Sequence, residues 1–130
     1  MNSKIMVMIV DDEPMILLGM QAALEDGGYE VLTAANGTDG LALLDRHHAD
    51  LAGLITDVRM GDGPTGWDVA RYGRGLKSDI AVVYVSADCV DDWPAEGLPN
   101  SVAIQKPFAE AQLVTAISTL ITEAGSRSAT

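Results

Sequence analysis

Short apolar runs alternate with more polar stretches along the chain, and each run stops at a turn signal or a polar residue. An apolar run of this kind is typical of a strand that is buried on both faces. The runs predict five strands, over residues 4–10, 29–34, 51–56, 80–85 and 101–105. Helices should then cover both faces of the sheet that these strands form.

Helical spacing of apolar residues fills most of the gaps between the strands. The predicted helices cover residues 14–26, 38–47 and 67–74, and the last one begins after Phe108. The inward face of the second helix is predicted to carry Leu41, Ala42 and Leu44.

Glycine and proline residues predict where the helices end. Gly27 and Gly28 should end the first helix, and Gly73 or Gly75 should end the third. The segment 89–100 contains two prolines and a glycine, so any helix there is expected to be short.

The repeated strand–helix units predict an α/β fold, a doubly wound five-stranded parallel sheet with helices on both faces. Right-handed crossovers favour the flavodoxin-like strand order 2-1-3-4-5. The whole pattern fits one domain over residues 1–124, followed by a flexible tail over 125–130.

The charge balance restricts the partners. The 130-residue chain has a formal net charge of -11 and a pI of about 4.2, which disfavours direct contact with nucleic acid or an anionic membrane surface. No stretch is long and apolar enough to span a bilayer. The single cysteine, Cys89, excludes an internal disulfide, and a cytoplasmic location is expected.

Acidic residues follow the first and third strands, which are neighbours in the predicted order. Asp11, Asp12 and Asp57 should therefore meet at one edge of the sheet, with Ser86 and Lys106 on the far side of the same crevice. Carboxylates this close repel one another unless a cation lies between them. A few hard oxygen ligands favour Mg2+ over Ca2+ or Zn2+.

The same residues suggest a reaction. Lys106 supplies a fixed positive charge and Ser86 a hydroxyl donor. Together they fit an anion with three equatorial oxygens beside a carboxylate nucleophile. This combination favours phosphoryl transfer to Asp57.

Four motifs in this order resemble the receiver domain of bacterial two-component response regulators, and the resemblance covers nearly the whole chain. They are the run 10–14 (Val-Asp-Asp-Glu-Pro), Asp57 after an apolar strand, Val85-Ser86-Ala87, and Lys106-Pro107-Phe108.

The resemblance implies that Asp57 is the phosphoacceptor. It also implies that Asp12 binds Mg2+ directly, that Asp11 does so mainly through water, and that the backbone carbonyl of Arg59 is a further ligand. A further hypothesis is that Arg59 and Asp88, each two residues beyond a site residue, pair above the crevice as a gate; the alternative is two separate, solvated loop charges.

Ser86 and Lys106 should hold the phosphoryl oxygens, by the same resemblance. The expected partners are a sensor histidine kinase or a phosphotransfer protein, then a downstream protein that the sequence does not identify. A homodimer through the face of the last helix is a further candidate. The chain would be a signalling domain that catalyses its own phosphorylation and dephosphorylation.

Two departures from the family pattern concern signal output. Ala103 stands three positions before Lys106, where the family usually has an aromatic switch residue. The segment Cys89–Asn100 is short of helical hydrogen bonds, so we expect it to be the mobile output element instead.

Other interpretations compete with this one. Taken singly, Asp11 and Asp12 fit a helix cap, and Asp57 fits a turn. A receiver-shaped module that binds partners without phosphorylation also remains open. A phosphatase of the haloacid dehalogenase type would need an Asp-x-Asp spacing after the first strand, which Asp11-Asp12-Glu13 lacks.

Overall fold

The computed structural model describes residues 4–88 and 90–128, so the predictions made for Cys89 lie outside the described residues. The strands are β1 (Met6–Val10), β2 (Glu30–Ala34), β3 (Leu51–Asp57), β4 (Ala81–Ser86) and β5 (Ser101–Gln105). The helices are α1 (Pro14–Asp26), α2 (Gly37–His47), α3 (Gly66–Leu76), α4 (Trp93–Glu96) and α5 (Glu110–Ser128). Short 3-10 turns cover His48–Asp50 and Val90–Asp92.

The strands form one parallel sheet in the order β2-β1-β3-β4-β5, which confirms the predicted topology. Successive residues of a strand face opposite sides of a sheet. Met8 on β1 accordingly joins the apolar core that α2 and α3 cover, whereas Ile9 joins the core that α1 and α5 cover. This arrangement explains why the three inner strands, β1, β3 and β4, are apolar without alternation.

The second and third helices begin at side-chain caps. The side chain of Asn36 accepts a hydrogen bond from the backbone N–H of Asp39, and Thr65 and Asp68 form a reciprocal capping box at the start of α3. Such caps satisfy N–H groups that have no partner within the helix. The cap at Thr65 fixes where α3 begins, after the loop of residues 58–65 that follows β3.

Two helix predictions were wrong. The third helix continues through Gly73 and Gly75 to Leu76. Gly73 packs against Leu44, and a Cβ there would lie 3.3 Å from that side chain, so this glycine allows close helix packing and does not end the helix. Ala42 is exposed, whereas Gly40 and Leu44 are buried on the inner face of α2. In both cases helix–helix packing outweighs the local sequence preference.

Residues 93–100, here called the α4 segment, contain one short helical turn, as predicted. Side chains from neighbouring elements hold this segment in place. Tyr84 on β4 accepts a hydrogen bond from the N–H of Leu98 at 3.2 Å, and Arg74 donates to the carbonyl of Pro99 at 2.8 Å. Trp93 donates to the hydroxyl of Ser101 at 2.9 Å.

The last helix packs Leu113 and Ile117 against the sheet, as its spacing predicts. It runs to Ser128, into the segment that the sequence predicted as a tail from residue 125 onward. One glycine in a helix costs only about 1 kcal/mol, so Gly125 does not end it. Within residues 4–88 and 90–128, no helix is long and apolar enough to cross a membrane.

Candidate functional site at the carboxyl edge of the sheet

The two central strands carry their last residues to the same edge of the sheet. Val10 of β1 pairs with Thr56 of β3, so Asp11 and Asp57 follow side by side. Asp11 is fully buried and Asp57 is 5% exposed, whereas Asp12 lies exposed at the rim. Carboxylates on adjacent buried strand ends cannot move apart, and this proximity sets the electrostatics of the site.

Lys106 contacts this acidic group directly. Its Nζ atom lies 2.9 Å from Oδ2 of Asp11, 3.0 Å from Oε1 of Glu13 and 3.5 Å from Oδ2 of Asp57. The predicted crevice is therefore present, and the side chain of Lys106 reaches across it from the end of β5. Asp11, Asp12, Glu13, Asp57 and Lys106 are called the acidic crevice below.

Glu13 was not predicted as a member of this crevice, although it stands in the acidic run before Pro14. Its side chain makes no capping hydrogen bond to α1 and instead contacts Lys106. Its backbone N–H donates to Oδ1 of Asp11 at 2.9 Å. The sequence signal was the third consecutive acidic residue after β1, immediately before the proline that opens the helix.

Burial and mutual repulsion shift the acid–base behaviour of the crevice. Burial, reinforced by the negative charge of Asp11, raises the pKa of Asp57 to about 6. Burial also raises the pKa of Asp11, although its hydrogen bonds with Glu13 and Lys106 oppose the shift. Burial acts to lower the pKa of Lys106, but hydrogen bonds to Asp11 and Glu13 outweigh it and raise that pKa. Lys106 therefore stays charged, while Asp57 takes up a proton at a higher pH than an ordinary aspartate does.

The backbone around Asp57 orients its carboxylate. The N–H of Val58 donates to Oδ1 at 2.8 Å, which leaves Oδ2 facing Lys106. Gly66 approaches closely, because its N–H donates to the carbonyl of Val58 at 2.8 Å. A Cβ on Gly66 would lie 2.0 Å from the carbonyl oxygen of Asp57, so this position accepts only glycine without a backbone shift.

Ser86 and Lys106 are brought together by pairing of the last two strands. The backbone N–H of Lys106 donates to the carbonyl of Ser86 at 2.8 Å. The Ser86 hydroxyl is buried and accepts a hydrogen bond from the N–H of Asp88 at 3.3 Å.

Arg59 and Asp88 form an ion pair at 3.5 Å, and their side chains are 69% and 68% exposed. The expected pairing of these two residues is therefore present.

The donor set fits a hard divalent cation. Each of Asp11, Asp12, Glu13 and Asp57 offers one carboxylate oxygen, and these oxygens all lie within 4.8 Å of one another. Oxygen-only donors in which carboxylates outnumber the nearby ammonium group suit Mg2+ rather than a metal that prefers nitrogen or sulfur.

Comparison with known proteins identifies a family and several relatives that this chain resembles over most of its length. Residues 7–118 match the family described as response regulator receiver domain. The sensor kinase CckA of Brucella abortus is 31% identical over 120 residues, covering 88% of this chain and 12% of CckA. The response regulator SaeR of Staphylococcus aureus is 30% identical over 118 residues, covering 89% of this chain and 50% of SaeR. The chain thus spans half or less of the length of these relatives.

Solved structures share the fold. A response regulator receiver protein from Sinorhizobium medicae has a TM-score of 0.90 and 33% identity, covering 94% of this chain and 98% of that protein. The receiver domain of the sensor histidine kinase PA1611 from Pseudomonas aeruginosa has a TM-score of 0.78 at 20% identity, covering 92% of this chain and 99% of that one. That structure holds a magnesium ion coordinated in its active site cleft.

Proposed function

The chain belongs to the response regulator receiver domain family, and from this membership we propose that it accepts a phosphoryl group on Asp57 from a phosphohistidine donor. The donor would be a sensor histidine kinase or a phosphotransfer protein. The observation that carries the proposal is the contact between Oδ2 of Asp57 and Nζ of Lys106 at 3.5 Å, in a crevice that also contains Asp11. A buried nucleophile beside an ammonium group whose side chain is only 9% exposed favours transfer of an anionic phosphoryl group.

The step itself makes one bond and breaks one. A carboxylate oxygen of Asp57 forms the new O–P bond while the N–P bond of phosphohistidine breaks, and the electron pair leaves with the imidazole nitrogen. Lys106 and the Ser86 hydroxyl would bind the oxygens of the transferred group. Since the pKa of Asp57 is about 6, its carboxylate is mostly ionised, and therefore nucleophilic, at neutral pH.

The metal belongs to the same proposal. Asp11, Asp12 and Asp57, with the backbone carbonyl of Arg59, would hold Mg2+, and the close carboxylate oxygens support this assignment. When bound, Mg2+ supplies positive charge that offsets carboxylate repulsion and the charge of the transferred group. The magnesium in the Pseudomonas aeruginosa receiver structure is consistent with this choice of ion.

Signalling would proceed through protein contacts. A net charge of -11 disfavours direct binding to nucleic acid, and a cytoplasmic location is part of the proposal. A homodimer through α5 stays a prediction. Family membership favours a signalling domain over the phosphatase alternative, and self-catalysed phosphorylation and dephosphorylation are part of what we propose.

Intact-mass analysis tests the phosphorylation. The protein is incubated with acetyl phosphate or phosphoramidate and Mg2+, and we expect a gain of about 80 Da, the mass of one added phosphoryl group. EDTA and Asp57→Asn should each abolish the gain. Asp62→Asn is the matched control, because Asp62 is an exposed acid in the loop after β3.

The outcomes separate the remaining function classes. Labelling that persists in Asp57→Asn would assign the phosphoacceptor to another residue. A folded wild-type protein that never gains mass, under donors and metal that label a known receiver, would point to a binding module without phosphorylation. Continuous release of phosphate from a generic phosphate ester would revive the hydrolase.

A further inference from the structure

We propose that Glu13 is a positioning residue that holds Lys106 in the unphosphorylated protein and releases it when a phosphoryl group occupies the crevice. This inference rests on the proposed function and adds a residue to it. Glu13 would thereby set how readily Asp57 is phosphorylated, without touching the transferred group itself.

The contacts of Lys106 show what the phosphoryl group must compete with. A lysine ammonium group has three N–H donors and no acceptor. Two of them are hydrogen-bonded, to Asp11 at 2.9 Å and to Glu13 at 3.0 Å, while Asp57 lies at the longer ion-pair distance of 3.5 Å. The third N–H is left to face Asp57, so a phosphoryl group that takes more than this one donor must displace Asp11 or Glu13 from Lys106.

Burial decides which carboxylate gives way. The side chain of Asp11 is fully buried, whereas that of Glu13 is 60% exposed. A buried carboxylate that loses its cationic partner remains unpaired in a low dielectric, which is strongly unfavourable. Glu13 can leave Lys106 and be hydrated at once, so its contact is the weaker of the two.

The local backbone argues against helix capping as the purpose of Glu13. Glu13 occupies the cap position of α1, directly before Pro14, but its side chain makes no hydrogen bond to the helix. Its N–H instead binds Oδ1 of Asp11, so one residue fixes Asp11 through its backbone and Lys106 through its carboxylate. The side chain is thus directed at the crevice.

A comparison of three variants tests this role through the affinity for beryllofluoride, a noncovalent phosphoryl mimic. Affinity is measured by thermal shift at saturating Mg2+ and excess fluoride. Glu13→Gln removes the charge, whereas Glu13→Asp keeps the charge but shortens the side chain by one methylene and breaks the contact. Glu110→Gln is the matched control, since Glu110 is an exposed acid near the crevice that lines the same groove as Lys106.

We expect both Glu13 variants to bind the mimic about two- to fivefold more tightly than wild type, the range for a partly exposed ion pair. Glu110→Gln should bind as wild type does. With acetyl phosphate, both Glu13 variants should raise the labelling rate at saturating donor and leave the half-saturating concentration unchanged. Magnesium affinity should change less than about threefold, because Glu13 acts through Lys106.

Each other outcome overturns the inference. If Glu13→Asp behaves as wild type while Glu13→Gln binds more tightly, charge alone matters and the contact does not. If Glu13→Gln binds the mimic equally or more weakly, Glu13 does not compete for Lys106. A tenfold loss of Mg2+ affinity in Glu13→Gln would make Glu13 a metal ligand instead. If folded wild type itself fails to bind the mimic, the proposed function fails together with the inference about Glu13. If wild type binds and only the Glu13 variants depart from expectation, the inference fails alone.

Discussion

The acidic crevice and the α4 segment both depend on polar side chains, but they use them in opposite ways. In the crevice, Asp11, Glu13 and Asp57 converge on the ammonium group of Lys106, and the two buried carboxyl groups have raised pKa values. In the α4 segment, donors meet acceptors one to one, as between Leu98 and Tyr84. The first region contains repulsion that Lys106 only partly offsets, and the second contains satisfied hydrogen bonds.

This difference separates function from stability. A region that holds repulsion in the free protein gains stability when a cation or a neutralising substitution arrives. A region held by satisfied hydrogen bonds loses stability whenever one partner is removed. Substitutions in the two regions should therefore change the free energy of unfolding with opposite signs.

The strongest test of this contrast is Asp57→Asn in EDTA. A folded-state pKa near 6 in place of the usual 3.8 means that ionised Asp57 lowers stability at pH 7, by about 2–3 kcal/mol at 1.36 kcal/mol per pKa unit. The variant should therefore melt about 5–10 °C higher than wild type. Calorimetry at pH 7 measures the shift, with Asp62→Asn as the control.

Added Mg2+ sharpens the same test. It should stabilise wild type more than Asp57→Asn, because the variant lacks one carboxylate of the metal site. Equal responses of the two proteins to Mg2+, or a lower melting temperature of the variant in EDTA, would contradict the idea that the crevice is repulsive.

Tyr84→Phe should have the opposite sign. The substitution keeps the ring that packs against Trp67 at 4.5 Å but removes the acceptor for the N–H of Leu98. Loss of a partly buried hydrogen bond should lower the free energy of unfolding by about 1–2 kcal/mol. Urea denaturation measures the change.

Tyr72→Phe is the control for this comparison. Tyr72 is 40% exposed, and its hydroxyl bonds Asp45 at the surface, so its loss should stay within about 0.5 kcal/mol. Equal losses in the two tyrosine variants would mean that the α4 segment is not held through Tyr84.

The pH dependence of stability gives a smaller effect with a definite sign. The pKa of Asp57 is raised on folding, so the folded state binds more protons than the unfolded state between about pH 4 and pH 6. Its contribution to stability is present below that range and is lost as pH rises through about 6. The advantage of Asp57→Asn over wild type in EDTA should therefore grow by about 1 kcal/mol between pH 5 and pH 7.

Denaturation series at several pH values check this difference between the two proteins. A constant difference from pH 5 to pH 7 would place the titration of Asp57 outside that window. Taking the difference removes the contribution of carboxyl groups that titrate alike in both proteins.

The smallest expected effect concerns the Arg59–Asp88 pair. These exposed side chains lie 3.5 Å apart, and the pair would hinder the in-line approach of a hydrolytic water. Arg59→Ala and Asp88→Ala should each speed dephosphorylation, by less than about fivefold, with little further gain in the double variant. The dephosphorylation rate is measured as the decay of the mass gain of about 80 Da that one phosphoryl group adds. Additive effects, or none, would show that Arg59 and Asp88 act as separate surface charges.

The sequence predicted most of the sheet but less of the helices. Buried parallel strands appear as continuous apolar runs, so all five strands and their order were predictable. The predicted burial of Ala42 and the predicted end of α3 were wrong, because both features depend on how closely α2 and α3 pack. The number of apolar positions on a helix does not tell which of them a neighbouring helix covers.

The α4 segment shows a second limit. Its proline and glycine residues predicted a short helix, which is present, and the expected mobility followed from missing helical hydrogen bonds. Arg74 and Tyr84 supply hydrogen bonds from other elements instead. Whether the segment moves on phosphorylation stays a prediction, but its anchors are side chains that local sequence patterns do not reveal.

By itself, the sequence determined which residues end each central strand, and therefore that Asp11 and Asp57 meet at the carboxyl edge of the sheet. The spacing of apolar residues and the turn signals are local features of the sequence, and parallel strands carry their carboxyl ends to one edge of the sheet. Only the tertiary structure decided that Glu13 contacts Lys106, 93 residues away. That contact depends on the path of the chain across the sheet, on the direction in which Glu13 leaves the start of α1, and on the burial that leaves Lys106 few other partners.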